Sequence, residues 1–540
     1  MSTLDITRVS GVTNSIRDAY NVAGFRPPLV MDPKRDKYIA NGAVTTFADA
    51  TEFTRASSAT FMDANGVLQT AATGVARTAH HFYKDGVLKR GALFEPTAAT
   101  NLFVRSKCVS TTGLSHGGLT LETDQDFLGI TTAFGMAAGA SRWAYTVATL
   151  VDAAPYTVSC LVQCGDGLAP SFGAGSITGN TNEFVIVVGG SFAGATTDYI
   201  VEHQGGTTYR VTGTGISTST SGTVGLVKYS GNIADSLKVT DIQVVAGSIP
   251  SSSIETNGSP ATRAADVLTV PHEKMPWPEV EYIGPELVTN GTFDTNLSGW
   301  TETGGLGVVA WSASGALFGN GNGVASTSFA QNVTTVVGKV YRCTVDISGT
   351  GTGVQVFVNG IGQGTYFSTP TSRVFVATST STPLSFFRFR GHTGQTLIDN
   401  VSVREITPLA VSIHLEGFMT GPTARLLNWS RDANTEILMD TGSSTFTFTQ
   451  EAGGVVDTVA GGIFTDGVNV PFNVAMTASS NLLAGAANGT ALTDNTTPIA
   501  LPDLEPTDMR LAFSGGPIIL TLFTVTPANI TQAGRVEATS

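Results

Sequence analysis

From residue 50 onward the chain alternates apolar and polar residues at a period of two. Val158, Cys160, Val162 and Cys164 share one phase after Tyr156, and Val354, Val356 and Val358 alternate with Gln355 and Phe357. Successive strand side chains point to opposite faces, so these runs predict half-buried β-strands. Between the runs stand Asn65-Gly66, Asp85-Gly86, Asn359-Gly360 and Asn488-Gly489, dipeptides that supply the positive φ angles of tight hairpins. Helical spacing is confined to the start, where Ile6, Val9, Thr13, Ile16, Tyr20 and Ala23 fall at three- and four-residue steps. That stretch predicts either a short helical seam between chains or an irregular arm that orders on a neighbour. Phe25-Arg-Pro-Pro-Leu then forces extended backbone.

Two stretches repeat. Leu102 and Tyr156 are 54 positions apart, as are Leu287 and Tyr341, and each Tyr opens an alternating apolar strand. Thr240-Asp-Ile-Gln-Val-Val matches Asp399-Asn-Val-Ser-Val-Arg at the far end. A diverged tandem module follows from this spacing.

At 540 residues one core is not enough, and three or more domains are expected. Charged residues are 13% of the chain, against about a quarter in ordinary soluble proteins, and 62 glycines with many Ser and Thr fill the polar positions. The formal charge of −13 without a Lys/Arg run argues against nucleic acid as a partner. No apolar run reaches bilayer length, so no membrane insertion is expected. Met1-Ser-Thr-Leu-Asp-Ile-Thr-Arg lacks the basic start and apolar centre of a signal peptide, which predicts a chain made and assembled without Sec export. The four cysteines follow strand phase and are expected to be reduced, packed thiols.

Leu287-Val-Thr-Asn-Gly-Thr-Phe-Asp, Trp300 after Leu297-Ser-Gly, and the closing Ile398-Asp-Asn-Val-Ser-Val resemble the jelly-roll carbohydrate-binding modules of the CBM4/9 type. Phe53-Thr-Arg-Ala-Ser-Ser-Ala-Thr-Phe and Gly91-Ala-Leu-Phe-Glu-Pro are similar to a block of tailed-phage virion proteins. Ser248-Ile-Pro through Thr262-Arg-Ala-Ala-Asp is similar to the linker that leads, in those proteins, from a jelly roll into a concanavalin-A-like lectin sandwich. The expected fold class is therefore all-β and multi-domain, with two jelly rolls, a concanavalin-A-like sandwich and a short N-terminal anchoring arm. The expected boundaries are an arm over 1–50, a hairpin region over 51–100, a first jelly roll over 101–249 and a linker over 250–264. A lectin-like sandwich takes 265–285 with 407–540, interrupted by a second jelly roll over 286–406.

Two sites follow as expectations. Asp399, in phase with Leu397, Val401 and Val403, would face the core as a costly charge. The resemblance implies a structural Ca²⁺ held by Asn290, Asp294 and Asp399; backbone N–H groups at the rim are the alternative. Phe357, Phe386, Arg388 and Arg390 would share the other phase of their strands and form an aromatic and cationic patch for an acidic polysaccharide, or else an outer sheet face or subunit contact.

No Glu-x-Asp-x-x-Glu strand, nucleophile motif or phosphate loop is present; Glu122-Thr-Asp-Gln-Asp is the nearest approach. No enzyme is expected. The resemblance implies a virion-surface protein of a tail fibre, spike or head fibre that attaches to host surface polysaccharide. Its arm would bind other virion proteins, and the chain would assemble as a homo-oligomer, commonly a trimer. A purely structural decoration protein and a polysaccharide depolymerase are the other readings.

Overall fold

A computed structural model describes residues 18–139, 141–173, 184–188, 199–228, 236–305, 308–319, 325–358, 361–362, 367–421, 423–442, 444–465, 467–498 and 500–540. Ile6, Val9, Thr13 and Ile16 of the helical seam and the Asn359-Gly360 turn lie outside the described residues. The chain is nearly all β, arranged as mainly antiparallel sheets packed in pairs.

The first pair is a five-stranded sheet (Ser115–Gly117, Arg142–Thr149, Ser221–Lys228, Phe184–Val187, Phe172–Gly173) and a six-stranded one. The latter runs Thr120–Glu122, Ala133–Met136, Leu237–Ala246, Pro155–Cys164, Tyr209–Ile216, Tyr199–His203. The second pair repeats this order for the central strands. Its sixth strand, Tyr282–Glu286, pairs with Thr396–Ile406, with no counterpart of Tyr199–His203 among the described residues, and its edge strand Ile361–Gly362 pairs antiparallel where Phe172–Gly173 pairs parallel. Thr301–Gly304, Thr327–Thr334, Ser381–Arg388, Gln355–Val358 and Ile361–Gly362 make its five-stranded sheet. Val309–Ser312, Gly315–Phe318, Thr396–Ile406, Val340–Gly349 and Thr371–Val376 face them. Each pair encloses its own apolar cluster, one around Phe103, Val158, Cys160 and Ile242, the other around Phe293, Trp300, Phe329 and Val401. Trp300 is buried and stacks on Phe329 at 5.1 Å between centroids. All four cysteines are buried thiols outside any disulfide.

The closing strand of each module carries the same irregularity, a bulge between Thr240 and Gln243 in the first and between Asp399 and Ser402 in the second, set against Ser159–Leu161 and Thr344–Asp346 of the long middle strands. Opposite them, Asp241 and Asn400 both take left-handed backbone, with φ of 50°. Each module also pins the loop before its middle strand in the same way. Tyr156 Oη accepts from Val151 N at 2.8 Å, and Tyr341 Oη accepts from Val336 N at 3.0 Å.

The third pair is larger. Ala410–Met419 and Ile518–Thr526 lie at the centre of a ten-stranded sheet, and Ala424–Asp432 and Met509–Gly515 lie in a seven-stranded one. Trp429, Phe446, Leu511 and Phe523 are among the residues packed between them. Val267–Val270 joins the seven-stranded sheet, and after the inserted second module the chain returns in the ten-stranded one.

The N-terminal boundaries need correction. Leu29–Asp32 is wholly buried and pairs with Phe523–Val525, and Glu52–Thr54 pairs with Val267–Thr269. Val87–Phe94 pairs with Ile518–Leu520. The continuous apolar run Leu29-Val-Met marks a strand buried on both faces, so residues 29–54 and 77–94 belong to the third sandwich and not to a separate arm and hairpin region. Tyr20 is drawn in as well, its hydroxyl donating to Asp32 Oδ2 at 2.7 Å.

Candidate functional site

Residues directly opposite one another in an antiparallel ladder share a face. Val356 stands opposite Phe386, and Phe357 opposite Ser385. Phe386 is therefore on the core side with Val356 and Val358, fully buried against Trp300. Arg388 is on that side too, 1% exposed, its guanidinium donating to the carbonyls of Phe318, Thr393 and Gly394 and to Thr396 Oγ1. Burial holds its pKa below the usual arginine value. Phe386 and Arg388 thus close the end of a sandwich and do not reach a ligand. Of the four expected binding residues, Phe357 and Arg390 remain at the surface.

The outer face carries a different set. Phe387, opposite Gln355, meets Phe357 edge to face at 6.0 Å, with Ser385 and Ser328 beside them. Phe389 is 45% exposed, and the Arg390 guanidinium lies 5.9 Å from its ring centroid. Together they make an edge-to-face aromatic pair with hydroxyl and amide neighbours and a cation at one end.

The first module carries aromatic residues on the same face of the same sheet. Trp143 stands opposite Val227, and Tyr145 opposite Gly225; Ser328 and Phe387, Ala330 and Ser385 are the corresponding pairs in the second module. Gly117 is opposite Trp143 in the edge strand, and the indole lies so close over it that no Cβ fits. The ring is therefore laid flat along the sheet. Trp143 and Tyr145 pack on buried Val187 and Val227 and stay half-exposed, and burial pushes the Tyr145 hydroxyl up to about 12. The sequence reading missed this pair. Carrying the Leu102/Leu287 repeat forward aligns Trp143 with Ser328, one ladder step from Phe387, and was the signal available.

The calcium expectation loses its premise. The bulge at Asp399–Asn400 resets the strand phase, so Ile398, Val401 and Val403 are buried while Asp399 turns outward. Asp399 Oδ1 accepts from Asn400 N, and Asn400 Nδ2 donates to Asp346 Oδ2. Asn290 spends its amide on the carbonyls of Asn296 and Ser298, and Asp294 is exposed and accepts from Thr292 Oγ1. Among the described residues the one group of three His, Cys, Asp or Glu side chains at metal-ligand spacing is His272, Glu273 and Asp508, all exposed, which includes neither aspartate.

The blocks that carry the resemblance to virion proteins turn out to hold one buried ionic cluster. Arg77 meets Glu95 Oε2 at 2.6 Å and Asp266 Oδ2 at 2.5 Å, Arg55 meets Asp266 Oδ1 at 3.2 Å, and Arg263 meets Glu95 Oε2 at 3.2 Å. All five side chains are at most 3% exposed. Ser252 adds its backbone N–H and its hydroxyl to Glu95. Burial works against the Glu95 carboxylate, yet Arg263 and Arg77 hold it well below the usual carboxylate range. The cluster ties the linker, the hairpins and the third sandwich together. A second buried carboxylate, Asp241, takes Lys107 and Arg210 at 2.8 Å each, with Ser253 of the linker. The first jelly roll is thereby fixed to the same linker.

No family model and no curated protein matches the chain. Among solved structures it is similar to the receptor binding domain of botulinum neurotoxin C/D mosaic serotype, at 11% identity over 23% of this chain and 34% of that one, TM-score 0.19. It is also similar to domains LG4-5 of the mouse laminin alpha1 chain, at 10% identity over 72% and 87%, TM-score 0.17. A third is the CBM22 tandem of Paenibacillus barcinonensis Xyn10C, at 12% identity over 57% and 98%, TM-score 0.18. The chain spans about a third of the length of the toxin domain it matches.

Proposed function

We propose that this chain is an attachment protein of a tailed-phage particle, carried on a tail fibre, spike or head fibre, and that its jelly rolls bind host surface glycans. The observation that carries the reading is the recurrence of an aromatic pair on the outer face of the equivalent sheet in both modules, Trp143 with Tyr145 and Phe357 with Phe387. Sugar rings offer an apolar C–H face and a rim of hydroxyls, so surface aromatic rings edged by Ser328, Ser385 and Gln355 suit them. Two modest sites on one chain, and several chains on one particle, raise the effective affinity without new contacts. The similarity of the Arg55, Glu95 and Arg263–Asp266 blocks to virion proteins supports the phage context.

The function is binding, not bond cleavage, in this account. Substituting Trp143→Ala and Phe387→Ala together is expected to abolish adsorption of the purified protein to host cells while thermal unfolding is unchanged. Undiminished adsorption of the folded double variant would overturn the reading.

A further inference from the structure

Between the first jelly roll and the third sandwich lies an open trough of about 770 Å³, within the range of about 300–1,000 Å³ typical of small-ligand sites. One wall is the outer face of the last two strands of the jelly roll, with Ile200 opposite Thr212 and Thr214 next on that face. The other wall comes from the sandwich, where Thr465 and Asn488 alternate with Ile463 and Val470, and linker residues 248–250 cross between. A smaller recess of about 130 Å³ continues inward past Thr212, Pro250, Thr420 and Val468 and holds Glu202, Arg210 and Asn469.

Hydroxyl and amide groups interleaved with small aliphatic ones suit a ligand that has both polar edges and C–H faces, which describes a saccharide. The charges add a sign. Lys84 lines the trough half-buried, with no carboxylate within ion-pair distance among the described residues. Glu202, the ladder partner of Arg210, is pushed toward its neutral form by burial, against the pull of Arg210 and Lys84. In a chain of formal charge −13, a cation that lines a polar trough with no carboxylate of the described residues within ion-pair distance marks a place for an added anion.

We propose that this trough binds an acidic oligosaccharide, one of whose carboxylates pairs with Lys84 while its rings lie between the jelly-roll and sandwich walls. It is separate from the aromatic faces, which it neither overlaps nor requires.

Titration calorimetry of the full-length protein with oligogalacturonate and with maltohexaose tests it. Oligogalacturonate is expected to bind and maltohexaose to bind at least several-fold more weakly. Lys84→Gln should weaken oligogalacturonate binding by about three-fold, the size of one partly exposed ion pair. Ile463→Glu places a negative charge in the trough at a position 84% exposed in the folded chain, so it leaves folding intact and should weaken binding further. Thr214→Trp should abolish it by filling the space. The Phe357→Ala, Phe387→Ala double variant should bind oligogalacturonate as the parent does while its cell adsorption weakens. No binding at ligand concentrations up to about 10 mM, or binding indifferent to Ile463→Glu, overturns the proposal. Either result leaves the aromatic faces standing, because their test is cell adsorption.

Discussion

Asn101 and Glu286 hold equivalent positions and do the same work. Asn101 Oδ1 accepts from Phe103 N and Val244 N, and Glu286 Oε1 accepts from Val288 N and Val403 N. Each side chain thus sews the entry of its jelly roll to the closing strand through the same two backbone donors. Chemistry differs because the surroundings do: Asn101 is fully buried, where a neutral amide is cheaper than a charge, and Glu286 is exposed.

That difference sets a first prediction. Asn101→Ala strands buried donors and should cost about 2–3 kcal/mol, whereas Glu286→Ala leaves its donors close to water and should cost about 1 kcal/mol or less. Chemical denaturation of the two variants checks the order, and a larger loss for Glu286→Ala would refute the pairing.

The ionic cluster gives a second. Glu95→Gln leaves Arg77 and Arg263 with too little negative charge in a dry site and should destabilise the chain by about 3–5 kcal/mol, the usual cost of breaking a buried pair from one side. Loss should be seen in the transition that unfolds the third sandwich. A change under about 1 kcal/mol would mean that water reaches the cluster.

The third concerns pH. His80 lies on strand Arg77–Lys84, its Nδ1 accepting from Met62 N at 3.2 Å, so it is neutral with the proton on Nε2. Burial, with Arg77 nearby, lowers its pKa from 6.5 to about 3. A histidine depressed on folding takes up its proton more readily unfolded, so stability is full above pH 6.5 and is lost as pH falls toward 3. Glu95 and Asp241, also depressed, add loss only below the ordinary carboxylate range. His80→Asn should flatten the slope between pH 6.5 and 5 in unfolding measurements and leave the steeper acid limb.

Gly117 supplies a fourth. Gly117→Val places side-chain atoms where the Trp143 ring lies, lifting the indole from the sheet. Saccharide binding by the first jelly roll should fall about three- to ten-fold, the worth of one stacked ring, with a red-shifted Trp143 emission; unchanged emission would show that the ring does not rest there.

Much of the architecture was legible because it is local. Alternation, the hairpin dipeptides and the spacing from Leu102 to Tyr156 and from Leu287 to Tyr341 all read within one module, and the third sandwich announced itself through its linker. What failed was whatever depends on register. Phe357 and Phe386 were assigned to one face by counting, but the ladder pairs Phe386 with Val356, and no local signal fixes that offset. Asp399 was placed inward by the same counting, and one extra residue in a bulge turned it out. Leu29–Asp32 finds its partner strand almost 500 residues later, at Phe523–Val525. The five charges of the ionic cluster stand at positions 55, 77, 95, 263 and 266, too scattered for spacing to pair them, although the blocks containing four of them had been singled out.

The measurement that bears most directly on the central claim is adsorption of purified full-length protein to intact host cells, before and after periodate oxidation of their surface glycans. Binding that is strong before oxidation and lost after it is the result predicted for a glycan-directed attachment protein. Binding that survives oxidation, or none at all by folded protein, would contradict the account and leave the sandwiches as contacts between particle proteins.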